Sequence, residues 1–176
     1  MGMYLHLVGV PGEDVRRYAQ SPALVEAASA RALRAATQRI VERQPAPDVF
    51  NLDKRGHFFH DLFTGHGWMR GDIPEGALFA GKEVGPDRGY GRARLLGPED
   101  TVKFATFLQC LTVERLIARI DFAAMRREKI YAYDAYQGSA GDLEECEWDV
   151  RDFFPPLRDF VQAQAAQGRA LLVVTW

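Results

Sequence analysis

The sequence predicts a single α+β domain, mostly helical, with a small sheet that contains the N- and C-terminal strands. Three observations lead there. Leu171, Leu172, Val173 and Val174 form an apolar run without alternation, which suits a strand covered on both faces. Tyr4, Leu5, His6, Leu7 and Val8 form a β-rich run closed by Gly9, Pro11 and Gly12. Most of the chain between them has helical period. At 176 residues and 47% hydrophobic content, a core large enough to stand without metal or disulfides is expected.

In chain order, the first strand is followed by Ser21 and Pro22, a cap and a proline at the first helical position. Leu24, Ala28, Ala32, Ala36 and Ile40 then make an i, i+4 stripe, and Pro45 and Pro47 end that helix. A helix is expected from near Asp53 through the histidine-rich segment. Residues 77–80, Ala-Leu-Phe-Ala, read as a short buried strand. The Pro86-Asp87 step and Gly89 are turn chemistry. Pro98, with Glu99 and Asp100 in a positive first turn, opens a helix whose apolar face is Phe104, Phe107, Leu108 and Leu111. Thr112 caps the next, with Val113, Leu116, Ile117 and Ile120 inward, and Asp121 caps a short one containing Phe122 and Met125. Asp152 and Pro155 announce the last helix, with Leu157, Phe160 and Val161 inward and Gly168 as its stop. No repeat or linker longer than a loop divides residues 1–176.

Charge and cysteine content exclude several functions. Twenty-two basic against 24 acidic residues give a net charge of -2, so no global field draws nucleic acid or an anionic membrane. The N-terminal stretch lacks a positive n-region and is broken by His6 and Gly9, which argues against a signal peptide. The longest apolar run has five residues, Ala170 to Val174, far short of a spanning helix. Cys110 and Cys146 have no C-x-x-C spacing and suit a reducing cytoplasm.

Chemistry is densest from Asn51 to His66, which holds three of the four histidines. On a helix, His57 and His60 share a face, with Asp53 one turn before His57 and Asp61 one turn after it. A carboxylate beside an imidazole can set its tautomer and basicity, as a general base or metal ligand requires. Capping by Asp53 and histidines bonded to backbone carbonyls would account for the same residues without catalysis, because Phe58, Phe59, Leu62 and Phe63 make the helix a buried one. No metal is expected, since His66 is the sole further nearby ligand and no H-E-x-x-H or Cys/His cluster is present.

Gly76 to Lys82 spells G-x-x-x-x-G-K, but Glu83 stands where a hydroxyl must ligate magnesium, so it is rejected as a phosphate loop and no cofactor is expected. Arg88, Arg92 and Arg94 around Gly89-Tyr90-Gly91 could grip an anion or form a solvated loop paired with an acidic segment. That segment, Tyr131 to Phe154, carries Asp142, Glu144, Glu145, Glu147, Asp149 and Asp152 with Tyr131, Tyr133, Tyr136 and Trp148. It suits a protein-binding face, or a solvated helix packed on its Trp148 side. Neither cysteine has the setting of a nucleophile, and no G-x-S-x-G elbow occurs.

Met1-Gly2-Met3-Tyr4, then Leu52-Asp53-Lys54 leading into His57 and His60, Leu62-Phe63-Thr64-Gly65, Gly89-Tyr90-Gly91, Ala93-Arg94-Leu95-Leu96 and Pro98-Glu99 resemble the YfbM-like family of bacterial proteins of unknown function. The resemblance implies a compact α+β domain in a bacterial cytoplasm, and it implies no activity. Eighteen arginines against four lysines also suit a GC-rich bacterial genome. Family members commonly read Asp-Lys-x-Trp-His, whereas Gly56 replaces the tryptophan here. The expected function is a non-enzymatic binding domain for a protein partner or a small anion. Its candidate pocket comprises Asp53, Lys54, His57, His60, Tyr90 and Arg92. The alternative is an acid/base hydrolase or transferase with His57 or His60 as base and Asp53 or Asp61 orienting it.

Overall fold

The computed structural model describes residues 3–42, 47–69, 71–87 and 89–176, the segment 36–42 by its backbone alone. Five strands, β1 (Leu5–Val10), β2 (Val49–Asp53), β3 (Lys82–Asp87), β4 (Arg92–Leu96) and β5 (Ala170–Thr175), form one sheet in the order β2-β1-β5-β4-β3. Every neighbouring pair is antiparallel. β5 lies at the centre and pairs with β1 from Leu5↔Thr175 to Val10↔Ala170. Both chain ends therefore share the sheet, as the apolar runs predict.

The central strands do not alternate because both faces are covered. Leu5, Leu7, Leu171 and Val173 face the larger core with Phe50, Leu52 and Leu96. Val8, Val10, Leu172 and Val174 face a smaller one closed by a helix. That helix is α2 (Pro22–Glu42), preceded by the short α1 (Val15–Gln20), which the sequence pattern does not predict. Val25, Ala28 and Ala32 of α2 lie on the sheet, so the buried stripe sits one residue from the expected Leu24, which is half-buried. Small side chains let α2 approach closely. The expected contribution of Ala36 and Ile40, the helix end before Pro45, and Arg88 fall outside the described side chains.

The larger core is covered by α3 (Gly56–Thr64), α4 (Pro98–Gln109), α5 (Val113–Ile117), α6 (Phe122–Glu128) and α7 (Ala140–Ala166). The α4 face is as expected, with Phe104 and Leu108 buried and Phe107 partly so. Thr112 accepts from Arg115 N at 3.2 Å, and Asp121 accepts from Ala123 N and Ala124 N at 2.9 and 3.0 Å, capping α5 and α6 as predicted.

Three expectations change. Residues 77–80 are buried but form no strand, because Gly76 N, Ala77 N and Phe79 N bond to Asp72 O, Pro74 O and Gly76 O in consecutive turns. The segment flanking Gly89 is a hairpin, β3 with β4, in which Arg94 pairs with Glu83 at 3.0 Å. The last helix begins at Ala140, well before Asp152. Ser139 and Asp142 form a capping box there, and Pro155 and Pro156 lie inside the helix. The carbonyls those prolines leave unbonded belong to Arg151 and Asp152, both exposed, so water can satisfy them. Cys146, Asp149 and Val150 start the buried face of α7, which continues through Phe154, Leu157 and Val161, while Trp148 is 55% exposed rather than inward.

Candidate functional site

A cleft of 570 Å³ lies at the β2 edge of the sheet. β2 is an edge strand whose Phe50 and Leu52 point to the core, leaving Asn51 and Asp53 for the opposite face. His6 of β1 lies beside Asn51 in register, and these three side chains line one part of the cleft. Leu33 of α2, Tyr4 and Trp176 border that part. Around the strand edge the lining continues with Arg55, Ala132, Tyr133, Tyr136, Glu145 and Asp149.

Asp53 ends β2 with φ of 55°, a left-handed conformation that aspartate tolerates better than most residues. Its amide donates to Asn51 Oδ1 at 2.7 Å, and its carboxylate accepts from Arg55 Nη1 at 3.1 Å. Arg55 also donates through Nε to Asp149, and Tyr133 Oη donates to the other Asp149 oxygen at 2.5 Å. Asp149 is 3% exposed. A buried carboxylate of this kind is tolerable because both oxygens are engaged by strong donors. Burial works against the Arg55 charge, but its bond to Asp149 and the field of that carboxylate outweigh it and raise the pKa. Burial and Asp149 together push the Tyr133 phenol well above its ordinary range. Burial and the bond to Glu145 do the same for Tyr136. Tyr133 stacks on Phe58 at 4.2 Å, and the Arg55 guanidinium lies 4.0 Å from the Phe153 ring centre. The network is therefore packed between aromatic rings.

Ala132, with φ of 69°, lines the same cleft. Among the described residues three non-glycine positions have positive φ, and two of them, Asp53 and Ala132, are here. Backbone strain of this kind costs about 1–3 kcal/mol per residue and concentrates where function requires it.

His6 is 1% exposed, and neither ring nitrogen has a hydrogen-bond partner among the described residues. Burial lowers its pKa to about 4, opposed only in part by Asp53 nearby.

Of the sequence-derived candidates, Asp53 and Lys54 line the cleft. Asp53 pairs with Arg55 rather than capping α3, whose N-cap is Arg55 without a side-chain bond. Lys54 lies over the Tyr4 ring at 5.7 Å. His57 and His60 are buried away from the cleft and turn toward backbone. His57 Nε2–H donates to Gly67 O at 2.6 Å and Nδ1 accepts from Tyr131 N at 2.9 Å, which fixes a neutral ring. Burial lowers its pKa accordingly. His60 Nε2 bonds to Trp68 O at 2.5 Å, and the Phe79 ring meets it edge-on at 5.1 Å. These rings tie the segment after α3 to the core. Tyr90 and Arg92 sit on the β3–β4 hairpin and are not among the residues lining the cleft.

The sequence reading overlooked His6 and Asn51 and placed Glu145, Tyr133 and Asp149 in a different role. One signal was available for His6, since it is the sole polar side chain in an otherwise apolar strand. Cys146 is buried, with burial and then Asp149 pushing its thiol to about 12. Among the described residues no group of three or more His, Cys, Asp or Glu could hold a metal ion, and no helix is long and apolar enough to cross a membrane.

The family described as Domain of unknown function (DUF1877) matches residues 1–174. Among solved structures, the protein of unknown function YfbM from Escherichia coli is similar at 15% identity and a TM-score of 0.64, covering 98% of this chain and 99% of that one. At that identity the likeness speaks to fold alone. Comparison with curated proteins finds no match.

Proposed function

The chain belongs to the DUF1877 family, and from that premise and the cleft at the β2 edge we propose that it is a non-enzymatic domain that binds a small molecule in this cleft. The observation that carries the reading is the convergence there of two non-glycine residues with positive φ, Asp53 and the more strained Ala132, on a pre-organised Arg55, Asp149 and Tyr133 network. Strain and buried charge both reduce stability, so their coincidence around one concavity supports a binding role. The volume lies within the usual range of small-molecule sites, about 300–1,000 Å³.

His57 and His60 support architecture rather than acid/base catalysis, because both rings are buried and held by backbone groups. A small anion is the less favoured ligand. Three carboxylates, Asp53, Glu145 and Asp149, share the lining with Lys54 and Arg55, and Arg55 is already held by two of them. We take the setting to be a bacterial cytoplasm, which the exposed, unpaired Cys110 supports.

Native mass spectrometry of protein isolated from cells tests the reading. Leu33 borders the cleft and is 48% exposed, so Leu33→Trp should fill it without disturbing the core. The wild type is expected to carry a small-molecule adduct that is released on unfolding and absent from Leu33→Trp. An adduct retained equally by both proteins would overturn the cleft as the site.

A further inference from the structure

Building on that reading of the cleft, we propose that His6 is the residue that hydrogen-bonds the ligand, and that the ligand is a neutral polyhydroxylated molecule of the sugar or polyol class. His6 carries an unmet hydrogen-bonding demand. A neutral imidazole has one donor and one acceptor nitrogen. Neither nitrogen of His6 has a partner among the described residues, and neither touches solvent. A buried polar atom left in this state costs stability, so evolution's simpler solution at a strand position between Val8 and Tyr4 would be another aliphatic side chain. A group that enters the cleft and displaces the cover of the ring can supply the missing bonds, because His6 lines that cleft.

The lining selects the class of that group. Burial keeps the ring neutral at physiological pH, so it asks for a partner that can accept from one nitrogen or donate to the other. A hydroxyl does either. Beside His6 stand Asn51 and Asp53, and across the cleft stands Glu145, which are planar acceptors and an amide donor suited to adjacent hydroxyls. Tyr4, Tyr136 and Trp176 also line the cleft, and aromatic rings suit contact with the C–H face of a sugar. A cationic ligand would meet Lys54 and Arg55, and an anionic one would meet the carboxylates, so a neutral ligand suffers neither repulsion.

The test compares wild type with His6→Leu by isothermal titration and by NMR of the His6 ring. The probes are glucose, galactose, ribose, maltose, trehalose and myo-inositol, with glucose 6-phosphate and glucosamine as charged counterparts. One or more neutral probes should bind and shift the His6 ring resonances, and affinity should fall by about three- to tenfold in His6→Leu, the loss of one neutral hydrogen bond. Without ligand, His6→Leu should melt at a higher temperature than wild type, a result that a merely structural histidine would not produce. Binding of only the phosphate or the amine would overturn the ligand class while leaving the cleft as the site. Neutral-probe binding unchanged in His6→Leu would overturn the role of His6. Failure of every probe to perturb Trp176 or His6 would overturn the proposal. In that case, an adduct lost in Leu33→Trp would still leave the broader reading of the cleft standing.

Discussion

At Gly56, a Cβ would stand 2.7 Å from both Cβ and Cδ1 of Leu5, which is buried in β1. A tryptophan therefore has no room here, and the missing side chain is a packing requirement of this chain. Gly56→Ala is expected to cost about 1–3 kcal/mol, the usual penalty for overpacking a well-filled core, as read from a shift in the urea midpoint. Asp149 is a second sensitive point. Asp149→Ala leaves the half-buried Arg55 guanidinium with Asp53 alone and strands the Tyr133 hydroxyl, so a loss of about 3 kcal/mol is expected. A loss below about 1 kcal/mol would mean that water replaces the carboxylate freely and that the network is not closed.

Among the elements, α7 is where local signals competed most directly. Asp152 and Pro155 read as a helix start, yet Ser139 and Asp142 supply the stronger N-terminal chemistry, a reciprocal pair of bonds at the true end. Ser139→Ala should cost about 1 kcal/mol. Far-UV circular dichroism should then show little loss of helix, because packing of Phe154, Leu157 and Val161 holds the rest of α7. β5 gives a contrasting case. Its two neighbours and two covered faces predict that the amides of Leu172 and Val173 exchange only through global unfolding. Exchange at loop rates would be incompatible with a central strand.

Over the whole molecule, buried titrating groups oppose one another with pH. His6 falls to about 4 in the fold against an ordinary value of 6.5, and His57 is lowered as well, in both cases chiefly by burial. Between pH 6.5 and 4 the unfolded chain therefore takes up protons that these two refuse in the folded state, and stability drops as pH falls. Asp61 acts in the other direction. Burial, reinforced by Glu128, raises it to about 6 from an ordinary 3.8, so the fold binds its proton first and its contribution to stability grows as pH falls through that window. Asp61→Asn should accordingly lose stability more steeply than wild type between pH 6.5 and 4. Urea midpoints at pH 7, 5.5 and 4.5 check this, and parallel profiles for the two proteins would contradict it.

The sequence by itself determined the class of the fold, the two terminal strands in one sheet, and the helices that begin at Pro22 and Pro98 or are capped by Thr112 and Asp121. Each of these rests on local physics, an apolar period or a cap, that neighbouring residues complete within a few positions. Tertiary structure decided the rest. Edge strand β2 has only Phe50 and Leu52 as an inward pair, too short a pattern to be distinguished from a helix start. Proximity in sequence made Asp53 and His57 look like partners, but the bend after β2 turns the carboxylate to Arg55 and the imidazole to Gly67 and Tyr131. The cleft joins His6, Asp53, Tyr133, Asp149 and Trp176 from widely separated parts of the chain. Hydrogen bonding and burial between such distant residues depend on how the strands and helices pack, which no local pattern encodes.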